Sequence, residues 1–217
     1  MLLSQGRYVL FELLLIFIIM KLHGRIMGIV SSGFQRSSDT KTFLVFVLMR
    51  YPDILESVNF APVEVDGDDS TNTIIETLKS GSFPNIQLIL TKGISLGGLN
   101  LYDPNTIFNI TKIPVASLSR APHCRECMEK AIRSLELRKS TDQTEKLKIF
   151  NSLETTAVTI KSEKYYVNAA GISNNELVLM LSECFKTGLL PEPLRIAQII
   201  ASGLYSSNEL FSVHHKV

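Results

Sequence analysis

The sequence has no tryptophan, only three cysteines and a formal net charge of +1. Cys124, Cys127 and Cys184 are too few and too unevenly spaced for the disulfide framework of a small secreted domain, so we expect a reducing, cytoplasmic setting. The near balance of charge excludes a strong overall field that would attract nucleic acid. A local basic groove remains compatible with this composition.

Internal repeats and low-complexity linkers are also lacking, which favours a single domain. Hydrophobic residues make up 45% of the 217 positions and charged residues 20%, as in an ordered globular protein with one sizeable core. We predict an apolar N-terminal extension over residues 1–24, one domain over residues 25–207 and a C-terminal tail over residues 208–217.

A long hydrophobic run is lacking too. Residues 8–20 are apolar apart from Glu12, but a membrane-spanning helix needs about 20 apolar residues. Arg7 precedes the run, yet no small-residue cleavage site follows it. Three hypotheses stay open: a signal-like anchor, a helix packed on the domain, and an extension ahead of a true start at Met20 or Met27. The length of the run and its glutamate both argue against a membrane role.

Hydrophobic periodicity from residue 25 onward predicts a regular order of elements. The first three are strands joined by short polar turns, which predicts an antiparallel meander over residues 25–30, 41–51 and 54–65. Helices then alternate with buried strands, which predicts parallel pairing with right-handed crossovers. These elements are a helix at 69–81, a strand at 85–90, a helix at 103–111, a strand at 113–118 and a helix at 123–137.

The last third of the chain is predicted to contain three helices and a hairpin. The helices cover residues 141–154, 173–188 and 191–203, and the hairpin strands cover residues 155–160 and 164–171. The capping-box spacing of Ser173 and Glu176 marks the start of the second of these helices, and Gly188 is a suitable residue for its end.

The stretch TKGISLGGLN at residues 91–100 has two interpretations. Its three glycines and Lys92 are compatible with a loop that cradles a phosphate. They are equally compatible with a turn that follows a central strand. Neighbouring motifs favour the second interpretation.

Several motifs together resemble those of the archaeal domain-of-unknown-function family ninety-nine. The order and spacing of the motifs match, from about residue 25 to about residue 204. The motifs are VDGDDST at 65–71, GISLGGLNLYD at 93–103, SR at 119–120, AAGIS at 169–173 and LPEPLRIAQIIASG at 190–203. That family is similar to endonuclease V, and the resemblance implies an α/β, ribonuclease-H-like mixed sheet with an antiparallel three-strand edge, parallel strands and crossover helices.

The resemblance also implies an acidic metal site that this chain lacks. Family members carry two aspartates after the Gly-Ile of the first strand, where this chain has Val30 and Ser31, and another acid where it has Lys92. Nuclease relatives use such acids to hold Mg²⁺ or Mn²⁺, which prefer hard oxygen ligands. A lysine removes a ligand and adds a positive charge, and two like charges about 4 Å apart repel by about 4 kcal/mol near a protein surface. We expect no ordinary two-metal site.

Other acids follow the third strand and the glycine stretch. Asp66, Asp68, Asp69 and Asp103 are the candidates for a relocated carboxylate site. The simpler interpretation is that Asp68 and Asp69 cap the following helix and that Asp66 belongs to an ordinary turn.

Two arginines lie within the motifs that match the family. Arg120 and Arg195 are suited to phosphate recognition, and Glu192 is either an ion-pair partner of Arg195 three residues away or a ligand-facing group. Gln198 occupies a position where family members often have a histidine, so a further polar group of the family site is changed.

A Cys-x-x-Cys pair, Cys124 and Cys127, lies at the predicted start of a helix. We favour two small residues on an amphipathic helix over a metal or redox site, because zinc would need ligands distant in sequence.

The sequence thus predicts a diverged, non-catalytic member of an endonuclease-V-like family, without a cofactor, that retains a groove for nucleic acid or for a protein partner. The alternative is a Mg²⁺- or Mn²⁺-dependent endonuclease acting on DNA or RNA through the four aspartates. A third hypothesis, a membrane-tethered interaction protein, depends on residues 8–20 alone.

Overall fold

The computed structural model describes residues 24–81, 83–139 and 142–214, with side chains as far as residue 207. The apolar run at residues 8–20 lies outside this range. The strands are β1 (Arg25–Ser31), β2 (Lys41–Arg50), β3 (Ile54–Glu64), β4 (Ile86–Lys92), β5 (Val115–Ser119), β6 (Thr156–Ile160) and β7 (Glu163–Ala170). The helices are α1 (Ser70–Ser80), α2 (Pro104–Thr111), α3 (Arg125–Lys139), α4 (Thr144–Ser152), α5 (Asn174–Ser182) and α6 (Glu192–His214).

All seven strands belong to one mixed sheet in the order β3-β2-β1-β4-β5-β7-β6. Strands β1, β2 and β3 are antiparallel neighbours, whereas β4 runs parallel to β1 and β5 runs parallel to β4. Strand β7 runs antiparallel to β5 and forms an antiparallel hairpin with β6 at the edge of the sheet. This topology confirms the predicted α/β class, with its antiparallel three-strand edge and its parallel strands joined by helices.

The sheet is covered on both faces, which explains the almost continuous apolar sequence of its central strands. Successive side chains of a strand point to opposite faces. Met27 and Ile29 of β1 accordingly belong to the cluster that includes Ile74 of α1. Ile26 and Val30 belong to the other cluster, with Leu194 of α6. These two clusters are therefore apolar layers separated by the sheet.

Helix α6 lies unusually close to β1. A Cβ atom added at Gly28 would overlap the backbone carbonyl of Pro193 in the first turn of α6. The three residues Glu192, Pro193 and Leu194 are buried at this contact. Gly28 is thus required because a backbone segment occupies the space of a side chain.

Two helix ends differ from the sequence prediction. The Ser173–Glu176 capping box is present at the start of α5, but the helix ends at Ser182 rather than at Gly188. The chain turns after Ser182, and Cys184 and Phe185, which follow the turn, are buried in the core. Helix α6 continues past the predicted end at residue 203 to His214. None of the helices in the described part of the chain combines the length and the apolar character that a bilayer crossing requires.

We predict that Gly28→Ala lowers the free energy of unfolding by about 2–3 kcal/mol, because the added methyl group forces β1 and α6 apart. Chemical denaturation measures the change. Gly203→Ala is the matched control, because a Cβ at that position of α6 meets no atom within 4 Å and alanine favours a helix by up to about 1 kcal/mol. Equal stabilities of the two variants would contradict the close contact.

Candidate functional site

A cavity of about 270 Å³ lies where β1 and β4 end beneath α6. Because these two strands are parallel neighbours, with Ile29 paired to Thr91, their carboxyl ends meet at the same edge of the sheet. The cavity is lined by Val30, Ser31, Gly33, Lys92, Ser95, Leu96, Gln198, Ala201 and Ser202. The three positions that replace acids of the resembled family are therefore neighbours in the structure.

Lys92 is the charged group of this cavity. Its ammonium group donates a hydrogen bond of 3.0 Å to the side-chain oxygen of Gln198, which reaches over from α6. Ser31, Ser95 and Ser202 complete the polar lining, and the hydroxyl of Ser202 donates to the backbone carbonyl of Gln198. Because the described lining residues include no carboxylate, the cavity has a net positive character.

A divalent metal ion does not fit this set of groups. Mg²⁺ and Mn²⁺ need several hard, preferably anionic oxygen ligands, and the described lining offers hydroxyls and an amide beside an ammonium group. An anion fits better, because the ammonium group and hydroxyls donate hydrogen bonds. The cavity suits a phosphate group.

Asp66 lies away from this lining and organises the glycine loop. Its carboxylate is buried, accepts a hydrogen bond of 2.7 Å from the backbone N–H of Leu99 and contacts Arg36 at 3.2 Å. Gly98 has a positive φ of 80°, and a Cβ there would overlap the Asp66 carboxylate. Residues 91–100 therefore fold against Asp66 as a turn after β4, as the second interpretation of this stretch predicts.

The predicted cap position is confirmed for Asp69 and wrong for Asp68, and neither side chain forms a capping hydrogen bond with α1. Asp69 occupies the N-cap position, but its carboxylate accepts hydrogen bonds from the backbone N–H of Glu64 and from the side-chain amide of Asn100. Asn100 in turn accepts the N–H of Ser70. Asp68 forms an ion pair of 2.7 Å with Lys146, which is buried.

Asp103 is the N-cap of α2. Its carboxylate accepts hydrogen bonds from the backbone N–H of Asn105 at 2.9 Å and from the hydroxyl of Thr106 at 2.6 Å. Within the described residues, no three His, Cys, Asp or Glu side chains are grouped so that they could hold a metal ion. The four candidate aspartates each have a local structural role.

A second cavity of about 300 Å³ adjoins the first and shares Lys92 with it. Arg120 at its rim donates to the carboxylate of Glu163 at 2.6 Å, and this bond raises the pKa of the guanidinium group. The guanidinium lies 4.8 Å from the ring centre of Tyr165. The remaining lining is largely apolar and comes from Gly93, Leu118, Ser119 and Leu190. Arg120 therefore presents a partly exposed planar surface beside a small apolar space.

Glu192 and Arg195 form the predicted ion pair on α6. Two hydrogen bonds of 2.8 Å and 2.6 Å join them, and they raise the pKa of the guanidinium group. Glu192 is buried, and its backbone N–H is bonded to the carbonyl of Cys184. The pair therefore anchors the start of α6, and neither residue lines the Lys92 cavity.

Cys124 and Cys127 are joined by a disulfide bond, so the interpretation of the pair as merely two small residues on a helix is wrong. The sequence predicts that both lie at the start of a helix, and α3 does begin between them, at Arg125. That start also brings the two sulfur atoms within bonding reach.

Sequence reasoning missed Ser95, Ser202 and Tyr165. Ser202 could have been found, because it follows Gln198 by four residues on a helix and so lies on the same face. Ser95 reaches the first cavity through the folding of a loop, and Tyr165 reaches the second through the pairing of β7 with β5. No local sequence pattern predicts either position.

A mixed sheet of this order, with crossover helices on both faces and a polar cavity at the ends of adjacent parallel strands, defines a nuclease-like α/β protein. The sequence comparisons identify the family. Residues 23–205 match the model of the Endonuclease dU family, and the chain belongs to that family. A "UPF0215 protein" of Thermococcus sibiricus is 30% identical over 185 residues, which cover 84% of this chain and 92% of the relative. One of Methanothermobacter thermautotrophicus is 31% identical over 181 residues, which cover 83% and 87%.

Solved structures agree with this assignment. A protein of unknown function from Archaeoglobus fulgidus has a TM-score of 0.70 at 26% identity, covering 83% of this chain and 97% of that one. Endonuclease V of Ciona intestinalis, in complex with an inosine-containing DNA, has a TM-score of 0.51 at 17% identity and covers 88% and 87%. The expected likeness to endonuclease V is confirmed at the level of the fold.

We predict that Asp66→Ala lowers the free energy of unfolding by about 2–3 kcal/mol, because it leaves the buried N–H of Leu99 without an acceptor. Denaturant titration measures the loss. Arg36→Ala removes only the exposed partner of the carboxylate and is expected to cost less than about 1 kcal/mol. Equal losses in the two variants would show that the ion pair, rather than the bond to the loop, holds the turn.

Proposed function

We propose that this protein binds nucleic acid, holds a backbone phosphate in the Lys92 cavity and does not cleave the strand. The supporting observation is the ammonium group of Lys92, bonded to Gln198 and surrounded by hydroxyls at the ends of β1 and β4. A cation of the protein itself thus occupies the place where the family resemblance implies a metal-binding acid. A phosphate then contacts the protein directly, without a bridging metal ion.

The proposed ligand is DNA that contains deoxyuridine. The family is described as Endonuclease dU, and the Ciona endonuclease V structure contains a DNA with inosine, another deaminated base. The second cavity supports this choice, because it adjoins the phosphate site and is largely apolar. A base turned out of the helix could stack on the exposed guanidinium face of Arg120.

Strand cleavage requires groups that this cavity lacks. A metal-dependent nuclease uses carboxylates to hold the ion that activates water. The described lining contains no carboxylate, and Asp66, Asp69 and Asp103 are bonded elsewhere to backbone N–H groups. The proposal therefore separates binding, which the cavity supports, from hydrolysis.

We predict that Lys92→Ala weakens binding of a fluorescently labelled deoxyuridine-containing duplex by about 5- to 10-fold and reduces the slope of log K against log salt by about 1, because one phosphate contact is lost. Fluorescence anisotropy over a range of salt concentrations measures both. Lys79→Ala, in the last turn of α1 on the opposite face of the sheet, is the matched control and should change neither quantity.

Two outcomes would overturn the proposal. Equal effects of Lys92→Ala and Lys79→Ala would contradict phosphate binding in the Lys92 cavity. Efficient cutting of the same duplex by the wild-type protein with Mg²⁺ or Mn²⁺ would show a nuclease. The corresponding thymidine duplex tests the base: equal affinity for both duplexes would leave phosphate binding intact and exclude recognition of uracil.

A further prediction concerns the missing acids. Ser31→Asp combined with Lys92→Asp should create a Mn²⁺ site, because it places two carboxylates where the strand ends meet and removes the competing ammonium group. Isothermal calorimetry with Mn²⁺ measures binding. The neutral pair Ser31→Asn with Lys92→Asn keeps the shapes without the charges and should bind no Mn²⁺; equal binding by both double variants would contradict the prediction.

A further inference from the structure

The Cys124–Cys127 disulfide lies outside both cavities and has no role in the proposed binding of DNA. Both cysteines are exposed. An exposed disulfide is open to attack by external thiols, whereas a buried one is protected. A bridge across a sequence separation of 3 also restricts the unfolded chain less than a long-range bridge would. The exposure of the disulfide and its short loop both favour a role in thiol exchange over a role in stabilising the fold.

The two sulfur atoms are not equivalent. Cys124 is the N-cap of α3, because its carbonyl accepts the N–H of Met128 at 3.0 Å. Its Sγ atom accepts the backbone N–H of Cys127 at 3.2 Å. A side-chain acceptor at this position meets free N–H groups at the positive end of the helix, so a thiolate on Cys124 gains stabilisation when the bridge opens.

We propose that Cys124 and Cys127 form a thiol–disulfide exchange site that an external dithiol reduces, with Cys124 as the more reactive thiol. In the reducing direction, a thiolate of the dithiol attacks one sulfur, forms a mixed disulfide and releases the other cysteine as a thiolate. The second thiol of the reductant then displaces the first cysteine. The reductant leaves as its own disulfide, and the pair gains two electrons and two protons.

The surroundings of the pair differ from those of the remaining cysteine. Cys184 is fully buried, and burial raises the pKa of its thiol to about 12. It therefore serves as an internal control for thiol reagents.

His123 precedes the pair, and its Nε2 atom is buried without a hydrogen-bond partner in the described part of the chain. Among the described residues, His123 and the two cysteines do not form a group that could hold a metal ion. The test checks this directly by exposing the reduced protein to Zn²⁺.

The first experiment uses the full-length wild-type protein. The air-oxidised chain is equilibrated in buffers of graded reduced and oxidised dithiothreitol, tagged with a maleimide and weighed intact by mass spectrometry. We expect two tags to appear together as the buffer becomes more reducing, with Cys184 untagged until the protein unfolds. Reduction that requires unfolding would overturn the proposal, as would two tags on the oxidised protein.

The second experiment compares the two single variants. Cys127→Ser leaves Cys124 and Cys124→Ser leaves Cys127, and each is mixed with oxidised glutathione at pH 7. We expect Cys124 to form the mixed disulfide at least about 5-fold faster, because its thiolate is stabilised by the helix terminus. A bridge with a purely structural role predicts equal rates, and equal or reversed rates would remove the assignment of Cys124. Retention of one equivalent of Zn²⁺ by the reduced wild-type protein would contradict the exchange site and indicate a metal site instead.

Discussion

The contact between Gly28 and the backbone of Pro193 is the constraint on which the cavity depends. Strand β1 is central in the sheet, and α6 reaches it closely only because residue 28 has no side chain. The contact fixes the first turn of α6, and the next turns carry Gln198 across the end of β4. The hydrogen bond between Gln198 and Lys92 is therefore a consequence of backbone packing about one and a half turns earlier in the helix.

The same sheet geometry is compatible with opposite charge preferences. Parallel strands bring their carboxyl ends together whatever residues stand there, so the fold determines where a site lies and the side chains determine what it binds. With carboxylates, these ends hold a cation. With Lys92 and a ring of hydroxyls, they favour an anion. A nuclease-like fold is thus insufficient evidence for catalysis.

Sequence reasoning predicted the order of the strands and helices well, because hydrophobic periodicity is local and strong in this chain. It also placed Val30, Ser31 and Lys92 at the positions of one site. That prediction depended on the family resemblance rather than on periodicity. It failed for the carboxylate of Asp69, whose partner Asn100 lies 31 positions away and reaches it only when the glycine loop folds. Contacts between residues about 30 positions apart leave no local signal.

The loop between β4 and α2 has little freedom to close over a ligand. Ile94 and Leu101 of this loop are buried in a cluster with Ile132 of α3, and Asp66 holds its backbone at Leu99. A preformed surface loses little conformational entropy on binding, which favours recognition by a rigid cavity. Lys92 lines both cavities at the start of this loop. The proposed phosphate and its neighbouring base would thus meet a site whose shape is already fixed.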